Sequence, residues 1–351
     1  MEKIRLDQLT GLRYFAALLV FLSHLSWGGS SLYLVRIFES GYVGVSFFFL
    51  LSGFVLSYSY KQKILDRSLS FIKYALLRLA RLSPLHFLTA LPFFLYALYK
   101  LDLSFFKLVL NLFYLQSWVP NSTYYFSFNA PSWSLSNEMF FYICFFPLIF
   151  IRIKTLLKIF ILLFALIFFS ASLVELLYSE KIFFGGSTLA HWLFYIFPGF
   201  RLLEFIAGML LFKLWESGFR LPGWVILPSY VLLLVSMYFA KEVPEPFRMS
   251  LFFLPVIILF FYAHLTESGL VVRFFSTKIM VLLGNASFAF YLIHQPLIIV
   301  LKRIVVKFEL SNFSFFVFSC IVISVLSIAI YVLYERRAES YLKLSIKEKV
   351  N

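Results

Sequence analysis

The sequence predicts an all-α integral membrane protein. Of its 351 residues, 62% are apolar and only 14% are charged, whereas soluble domains average about 45–50% and 25%. Apolar runs of about 20 residues recur along the chain, and this is the length a helix needs to cross the roughly 30 Å hydrocarbon core. The short alternating segments typical of an outer-membrane barrel do not occur in the sequence. The spans are therefore expected to be helices.

About ten of these runs are expected to be transmembrane helices. They are 11–28, 41–60, 84–100, 132–151, 155–178, 192–213, 222–240, 247–266, 280–301 and 312–334. The stretch 104–118 is also apolar, but Lys107 and Asn111 interrupt it, so we expect an interfacial helix there. Linkers and soluble segments are not visible, and 1–351 is expected to be a single membrane domain with no additional soluble domain.

The basic residues predict the orientation of the chain. If the N-terminus is cytoplasmic, twenty Lys and Arg residues fall in inside segments and nine in outside loops. The positive-inside rule then predicts that both termini are cytoplasmic. The formal net charge of +14 describes a cytoplasmic face that meets anionic lipids or anionic ligands. Nucleic acid is not expected as a partner, because no basic region is organised as a soluble fold.

The first span carries Arg13 at its entrance and, after ten residues, His24 deep in the apolar run. An ionisable side chain at membrane depth costs about 2.5–3.5 kcal/mol, so two on one span indicate a use. Glu138 in the fourth span, which runs the opposite way, is expected at the depth of His24, in the outer third. A carboxylate beside an imidazole is an ordinary general-base pair. The alternatives are a signal-anchor helix whose Arg13 reaches the head groups and a structural role for Glu138.

Three further features carry ionisable groups. Arg78 and Arg81 lie one helical turn apart, a spacing suited to phosphate oxygens or, alternatively, to a stripe that contacts anionic lipid. Arg201 and Glu204 are also one turn apart and are expected to satisfy each other, or to contact a hydroxylated acceptor. His294 precedes Pro296, and hydrogen bonding that relieves the proline kink is the preferred interpretation.

The small residues of the second span have two interpretations. Gly41, Gly44, Ser46, Ser52 and Gly53 interrupt an otherwise bulky helix. Such residues allow helices to approach closely, or they leave room for a slender ligand such as a pantetheine arm. Close packing is the preferred interpretation.

Taken together, these segments resemble the acyltransferase 3 family of multispanning membrane O-acyltransferases. The matching segments are LDQLTGLRYFAALLVFLSHL, GVSFFFLLSGFVLS, RLAR at 78–81, PSWSLSNEMFFY, FRLLEFIAGMLL, LGNASFAFYLIHQPL and YERRAESYLK. They occur in the family's order and cover essentially the whole chain. The spacing of Arg13 and His24 matches the arginine–ten–histidine spacing of the family's opening segment.

The resemblance implies transfer of an acyl group, most often acetyl, from cytoplasmic acyl-CoA to a hydroxyl. In bacterial members the acceptor is commonly a sugar of an exported glycan, such as an exopolysaccharide or O-antigen, and the enzyme spans the inner membrane. Acetyl-CoA is expected as a donor co-substrate, with no permanently bound cofactor and no metal. The expected site residues are His24 as base, Glu138 and Arg13 beside it, Arg78 and Arg81 on the donor, and Arg201, Glu204 and Trp133 on the acceptor.

Other functions stay open from the sequence alone. A small molecule or a lipid could be the acceptor within the same reaction class, and an acyl-histidine intermediate is a less favoured mechanism. A transporter of an anionic or glycolipid substrate would also need intramembrane Arg, Glu and His, but the inverted repeats typical of transporters are not evident. A non-catalytic assembly subunit would need the packing glycines and would not need His24.

Overall fold

The computed structural model describes residues 6–27, 32–178, 182–183, 185–265, 269–305 and 311–349. The two termini, 1–5 and 350–351, lie outside the described residues, and their cytoplasmic location stays a prediction. The described residues form helices almost throughout, with one two-stranded hairpin of β1 (Ile182–Phe183) and β2 (Ser187–Thr188).

The described part of the chain contains seventeen α-helices. In chain order they are α1 (Asp7–Ser23), α2 (Leu32–Glu39), α3 (Val43–Leu65), α4 (Phe71–Tyr99), α5 (Phe105–Leu112), α6 (Ser122–Tyr125), α7 (Trp133–Leu148), α8 (Ile153–Tyr178), α9 (Leu189–His191), α10 (Pro198–Glu216), α11 (Ile226–Phe239), α12 (Glu245–Arg248), α13 (Leu254–Ala263), α14 (Leu270–Phe275), α15 (Lys278–Val305), α16 (Asn312–Ile330) and α17 (Arg336–Lys349).

Each of the ten predicted spans coincides with helical structure. Seven helical stretches in the described residues are long and apolar enough to cross a bilayer: Tyr33–Leu65, Phe71–Tyr99, Ile153–Tyr178, Leu189–Glu216, Gly223–Glu242, Lys278–Arg303 and Asn312–Glu348. The other three predicted spans coincide with α1, α7 and α13, which are shorter. A multi-pass, all-α integral membrane protein is thereby confirmed, while the count of ten stays a prediction.

Three boundaries differ from the prediction. Helix α1 ends at Ser23 rather than near residue 28, with His24 as its C-cap. Helix α4 begins at Phe71, well before residue 84, because the Ser70 side chain caps its first turn by accepting from the backbone N–H of Lys73. The helix predicted over 104–118 is only eight residues long, Phe105–Leu112, and ends before a residue of positive φ, Tyr114 (φ 58°).

The chain divides into two compact units, each built from three segments. The first unit comprises 1–48, 217–242 and 255–334, and the second comprises 49–216, 243–254 and 335–351. The first boundary along the chain, between residues 48 and 49, falls inside α3. The prediction of a single membrane domain stays a prediction.

In the first unit, α1 packs closely against α15. A Cβ atom placed on Gly284 would overlap the backbone carbonyl of Thr10, and one on Gly11 would overlap that of Phe275 on α14. The backbones can approach this closely only because these positions carry no side chain. Farther along α1, the fully buried side chains of Phe21 and Phe290 pack edge to face, with ring centroids 5.7 Å apart. Helix α1 is therefore held rigidly up to the turn in which it ends.

In the second unit, α3 and α10 cross at a pair of glycines. A Cβ on Gly53 would overlap the carbonyl of Phe205, and a Cβ on Gly208 would overlap that of Leu50. In the first unit, Gly41 likewise lies against the backbone of α1. These contacts confirm the interpretation that the glycines of the second predicted span serve close helix packing.

We expect Gly53→Ala to destabilise the protein by about 1–3 kcal/mol, because the added methyl group must displace a backbone carbonyl in a closely packed crossing. The thermal midpoint of the purified protein in detergent measures this loss. Val55→Ala, at an exposed position two residues away, is the matched control and should leave the midpoint nearly unchanged. Equal midpoints for the two variants would contradict the close crossing.

Candidate active site

His24 lies at the carboxyl end of α1, not inside an apolar helix as the sequence predicted. The helix stops at Ser23, and the His24 residue is exposed. Its Nδ1 lies 2.8 Å from the carbonyl oxygen of Val20. Because a carbonyl only accepts, Nδ1 carries the proton, and Nε2 is left with an electron pair. The negative end of the helix dipole also favours a positive charge at this position. The environment therefore suits a base that becomes an imidazolium.

Arg13 lies on the same helix as His24. The two residues are eleven positions apart, which corresponds to about 16 Å along the helix axis. Because eleven residues make about three complete turns, both residues lie on the same side of α1. Arg13 is half-buried. A direct contact between two side chains so far apart on one helix is not expected, and the catalytic role of Arg13 stays a prediction.

A second histidine accompanies His24 in the first unit. The ring centroid of His294 on α15 lies 5.0 Å from that of His24, and the rings meet edge to face at 70°. His294 is buried, and its Nδ1 lies 2.5 Å from the carbonyl of Tyr291. Pro296 frees the carbonyl of Leu292 rather than that of Tyr291, so the role of His294 in relieving the kink stays a prediction. The contact with His24 was missed. The sequence carries no signal for it, since 270 positions separate the two residues.

In the second unit, Glu138 and Arg78 share a tyrosine. The hydroxyl of Tyr142 donates to the carboxylate of Glu138 one turn earlier on α7. The guanidinium of Arg78 on α4 lies 5.8 Å from the Tyr142 ring centroid and 4.7 Å from that of Tyr60, whose hydroxyl also accepts from Arg78. The sequence analysis assigned Glu138 to the base and Arg78 to the donor, and it did not expect both to lie beside one tyrosine.

Helix α4 begins earlier than predicted, which places Arg78 about two turns into the helix. The missed tyrosine had a sequence signal, because positions four apart lie on one side of a helix. The predicted hydrogen bond between His24 and Glu138 would join the two units, and it stays a prediction.

Arg81 binds two carboxylates of the C-terminal segment. Its guanidinium forms ion pairs with Glu335 and with Glu339, the latter at 2.9 Å, and Lys343 also pairs with Glu339. The Glu335 side chain is 2% exposed, so its charge is compensated inside the protein. The sequence analysis missed both acids, although Glu335 and Glu339 are one turn apart and could have been read as a partner pair for the arginines.

Arg201 and Glu204 form a fully buried ion pair. The nitrogen and oxygen atoms lie 3.0 Å apart, and both side chains are 0% exposed. Arg201 also donates to the carbonyl of Met249 at 3.0 Å, and Ser250 donates to Glu204 at 3.3 Å. The prediction that the pair satisfies itself is confirmed. Because protein groups surround it, the geometry favours a structural role, and contact with an acceptor stays a prediction.

Trp133, the third residue assigned to the acceptor, lies near this pair. Its ring packs 4.9 Å from that of Tyr195, over which the Arg201 guanidinium lies at 5.4 Å. Trp133 is 4% exposed. The structure thus brings the three predicted acceptor residues together within the second unit, in its interior rather than on an open surface.

Comparison with known proteins identifies the class of the chain. A family model described as an acyltransferase domain, that of the acyltransferase 3 family, matches residues 6–332. The chain belongs to the acyltransferase 3 family. It is therefore a membrane-bound acyltransferase, and the resemblance drawn from its sequence segments is confirmed.

Three curated proteins are similar to the chain over most of its length. Acyltransferase MdmB of Streptomyces mycarofaciens is 32% identical, over 83% of this chain and 78% of its own. ORF330 of the Acidianus two-tailed virus, provisionally named an acetyltransferase, is 27% identical over 84% of each chain. YrhL of Bacillus subtilis (strain 168), provisionally named a peptidoglycan O-acetyltransferase, is 26% identical over 83% of this chain and 48% of its own. No solved structure matches the chain significantly.

We expect Arg201→Met and Glu204→Leu, made singly, each to destabilise the protein by about 3–5 kcal/mol, because each leaves the other charge buried without its partner. The double variant should recover much of this loss, since it removes both charges together. Unfolding of the three variants in detergent measures the coupling between the positions. If both single variants are stable but lose acceptor binding, the pair belongs to the acceptor site and the structural assignment is wrong.

Proposed function

We propose that the protein transfers an acetyl group from cytoplasmic acetyl-CoA to a hydroxyl of an exported or cell-envelope glycan, with His24 as the general base. The observation that carries the proposal is the His24 imidazole, whose Nδ1 bond to Val20 leaves a basic Nε2 at an exposed helix end. Membership in the acyltransferase 3 family supports the reaction class. The name of YrhL, which specifies O-acetylation of peptidoglycan, supports a glycan acceptor.

In the proposed reaction, Nε2 of His24 takes the proton of the acceptor hydroxyl as its oxygen attacks the thioester carbonyl. The new carbon–oxygen bond forms, the carbon–sulfur bond breaks, and the coenzyme A thiolate leaves. The imidazolium then returns its proton to the thiolate, so His24 ends as it began. The Val20 carbonyl and the helix end stabilise the imidazolium between the two steps. Because the Nδ1–H of His24 is already bonded to Val20, Glu138 would act through its negative charge, which stabilises the imidazolium, and Arg13 would position the pair or the donor.

For the donor we propose a site that opens to the cytoplasm and includes Arg78 and Arg81. A guanidinium forms charge-assisted hydrogen bonds with phosphate oxygens, which coenzyme A carries in number. Arg78 lies among aromatic rings and donates to Tyr60, a neutral group that an anionic ligand could displace. Arg81 is different, because Glu335 and Glu339 already compensate its charge. The two arginines are therefore expected to contribute unequally.

The cellular membrane that holds the enzyme can be proposed from its helices and from its proposed substrates. The multi-pass helices place the enzyme in a membrane, and we propose the bacterial cytoplasmic membrane, where acetyl-CoA is available on the inner side and exported glycans on the outer side. The basic inner segments predicted from the sequence would then face the polyanionic donor.

We expect His24→Asn to reduce acetyl transfer by at least about 10²-fold, since general acid–base catalysis contributes roughly 10²–10⁴-fold. The asparagine amide can keep the bond to Val20 but has no Nε2. Mass spectrometry of O-acetyl groups on surface glycans, from cells that carry wild-type protein, the variant or no gene, measures the loss and identifies the acceptor. His264→Asn, at a buried histidine with the same type of backbone bond, is the control. Normal acetylation by a well-folded His24→Asn protein would refute the base assignment, and acetylation of a lipid or small molecule would replace the glycan.

We expect Arg78→Gln to raise the apparent KM for acetyl-CoA by about tenfold or more, because it removes charge-assisted bonds that contribute about 1.5–3 kcal/mol each. Glu339→Gln should lower this KM, because it removes a carboxylate that competes for Arg81. Lys61→Gln, which removes another cation paired to a glutamate (Glu216, 2.5 Å), serves as the control and should leave the KM unchanged. Donor kinetics in membrane vesicles of verified orientation provide the measurement. If Arg78→Gln leaves donor affinity unchanged, the arginines form a lipid-contacting stripe instead.

A further inference from the structure

His24 and His294 form a pair of imidazoles with the same tautomer. In each ring Nδ1 lies within hydrogen-bond distance of a carbonyl oxygen on its own helix, at 2.8 Å from Val20 and 2.5 Å from Tyr291. Both Nδ1 atoms therefore carry a proton, and both Nε2 atoms carry an electron pair. The rings meet edge to face with centroids 5.0 Å apart.

The Nε2 atom of His294 has a special position. It is buried and has no hydrogen-bond partner among the described residues. Leaving a buried acceptor unpaired costs about 1–3 kcal/mol, so a position that keeps one invites an explanation. The bond from Nδ1 to the Tyr291 carbonyl uses only one of the two ring nitrogens. The His24 ring, with its centroid 5.0 Å away, is the titratable group packed against this ring.

We propose that His294 is a positioning residue for acyl transfer. Its neutral ring orients His24 and stabilises the imidazolium that forms there. The pair as a whole then takes up one proton beyond the two already on the Nδ1 atoms. This inference rests on the proposed role of His24 as base. When His24 takes the proton of the acceptor hydroxyl, the neutral His294 ring lies 5.0 Å from the positively charged ring, centroid to centroid. A second proton, on the buried His294, would place two like charges about 5 Å apart, and their repulsion opposes it.

The helices that carry the pair, and α16 packed against α15, hold other titratable groups. They are Arg13 and Tyr14 on α1, Tyr291 and Lys302 on α15, and Cys320 on α16. Lys302 donates to Ser26 at 2.9 Å, and Tyr14 is bonded to Ser324 at 2.7 Å. The Tyr291 ring lies 5.7 Å from that of His294. A pH profile of the wild type alone could reflect any of them, so the test compares variants at one position.

The decisive variant is His294→Asn. The asparagine amide nitrogen can replace Nδ1 in the bond to Tyr291, but the electron pair of Nε2 is lost. We expect kcat to fall about tenfold or more, as a fraction of the roughly 10²–10⁴-fold supplied by acid–base catalysis. The KM values for donor and acceptor should change by less than about twofold, because His294 is not proposed to bind either.

The pH profile has a defined sign. Loss of a group that stabilises the imidazolium makes His24 harder to protonate, so the acid limb of kcat should move to lower pH in His294→Asn. In His294→Gln the terminal amide reaches the position of Nε2 and can present its oxygen, so partial recovery of kcat and of the acid limb is expected. His264→Asn is the matched control, since His264 is buried, its Nδ1 lies 2.7 Å from the Phe260 carbonyl, and it should leave the profile unchanged.

A wild-type kcat and acid limb in folded His294→Asn would overturn the inference, as would equal losses in His294→Asn and His264→Asn. If His294→Asn does not fold, the five histidines of the wild type allow the test by ¹⁵N NMR of histidine-labelled protein. One shared titration of the His24 and His294 signals supports the pair, and independent titrations refute it. Activity of His24→Asn would instead refute the proposed function, whereas inactive His24→Asn with normal His294→Asn would refute this inference alone.

Discussion

The cost of an unpaired charge in an apolar interior is the constraint on which the structure depends. Arg201 and Glu204 are completely buried and lie 3.0 Å apart, and a neighbouring carbonyl and hydroxyl bind them as well. Arg81 holds the nearly buried Glu335 in the same way. An isolated buried charge is far more expensive than a paired one. The Arg81–Glu335 pair therefore ties α4 to the C-terminal segment, and the pair within α10 ties that helix to Met249 and Ser250 through its further hydrogen bonds. The ionisable residues thus determine packing before any of them takes part in chemistry.

Close approach of helices is the complementary requirement. Lipid chains are as apolar as leucine, so helices in a bilayer associate mainly through packing and interhelical hydrogen bonds. The glycines at 53 and 208 bring α3 and α10 together in the second unit, and those at 11 and 284 hold α1 against its neighbours in the first. The second case bears on the proposed chemistry, because the rigid α1 ends at His24 and α15 carries His294. A base at a fixed helix end needs little reorganisation when it accepts a proton.

Membership in the acyltransferase 3 family fixes the reaction class, and the geometry gives that class a physical basis in particular side chains. The electron pair of His24 is directed by a backbone bond to Val20 rather than by a carboxylate in the same unit. Glu138 is bonded to Tyr142, which lies beneath the guanidinium of Arg78.

The sequence by itself determined the class of fold, the approximate helices, the family and the self-satisfied pair of Arg201 and Glu204. These follow from local quantities: the length of apolar runs, residue spacing on one helix, and motifs in a fixed order. Only the tertiary structure decided that His24 caps α1, that His294 lies beside it, and that Glu335 compensates Arg81. Helix ends depend on capping and on the packing of neighbouring helices, which hydropathy does not record. Contacts between residues 250 or more positions apart arise from helix packing, and no periodicity along the chain encodes them.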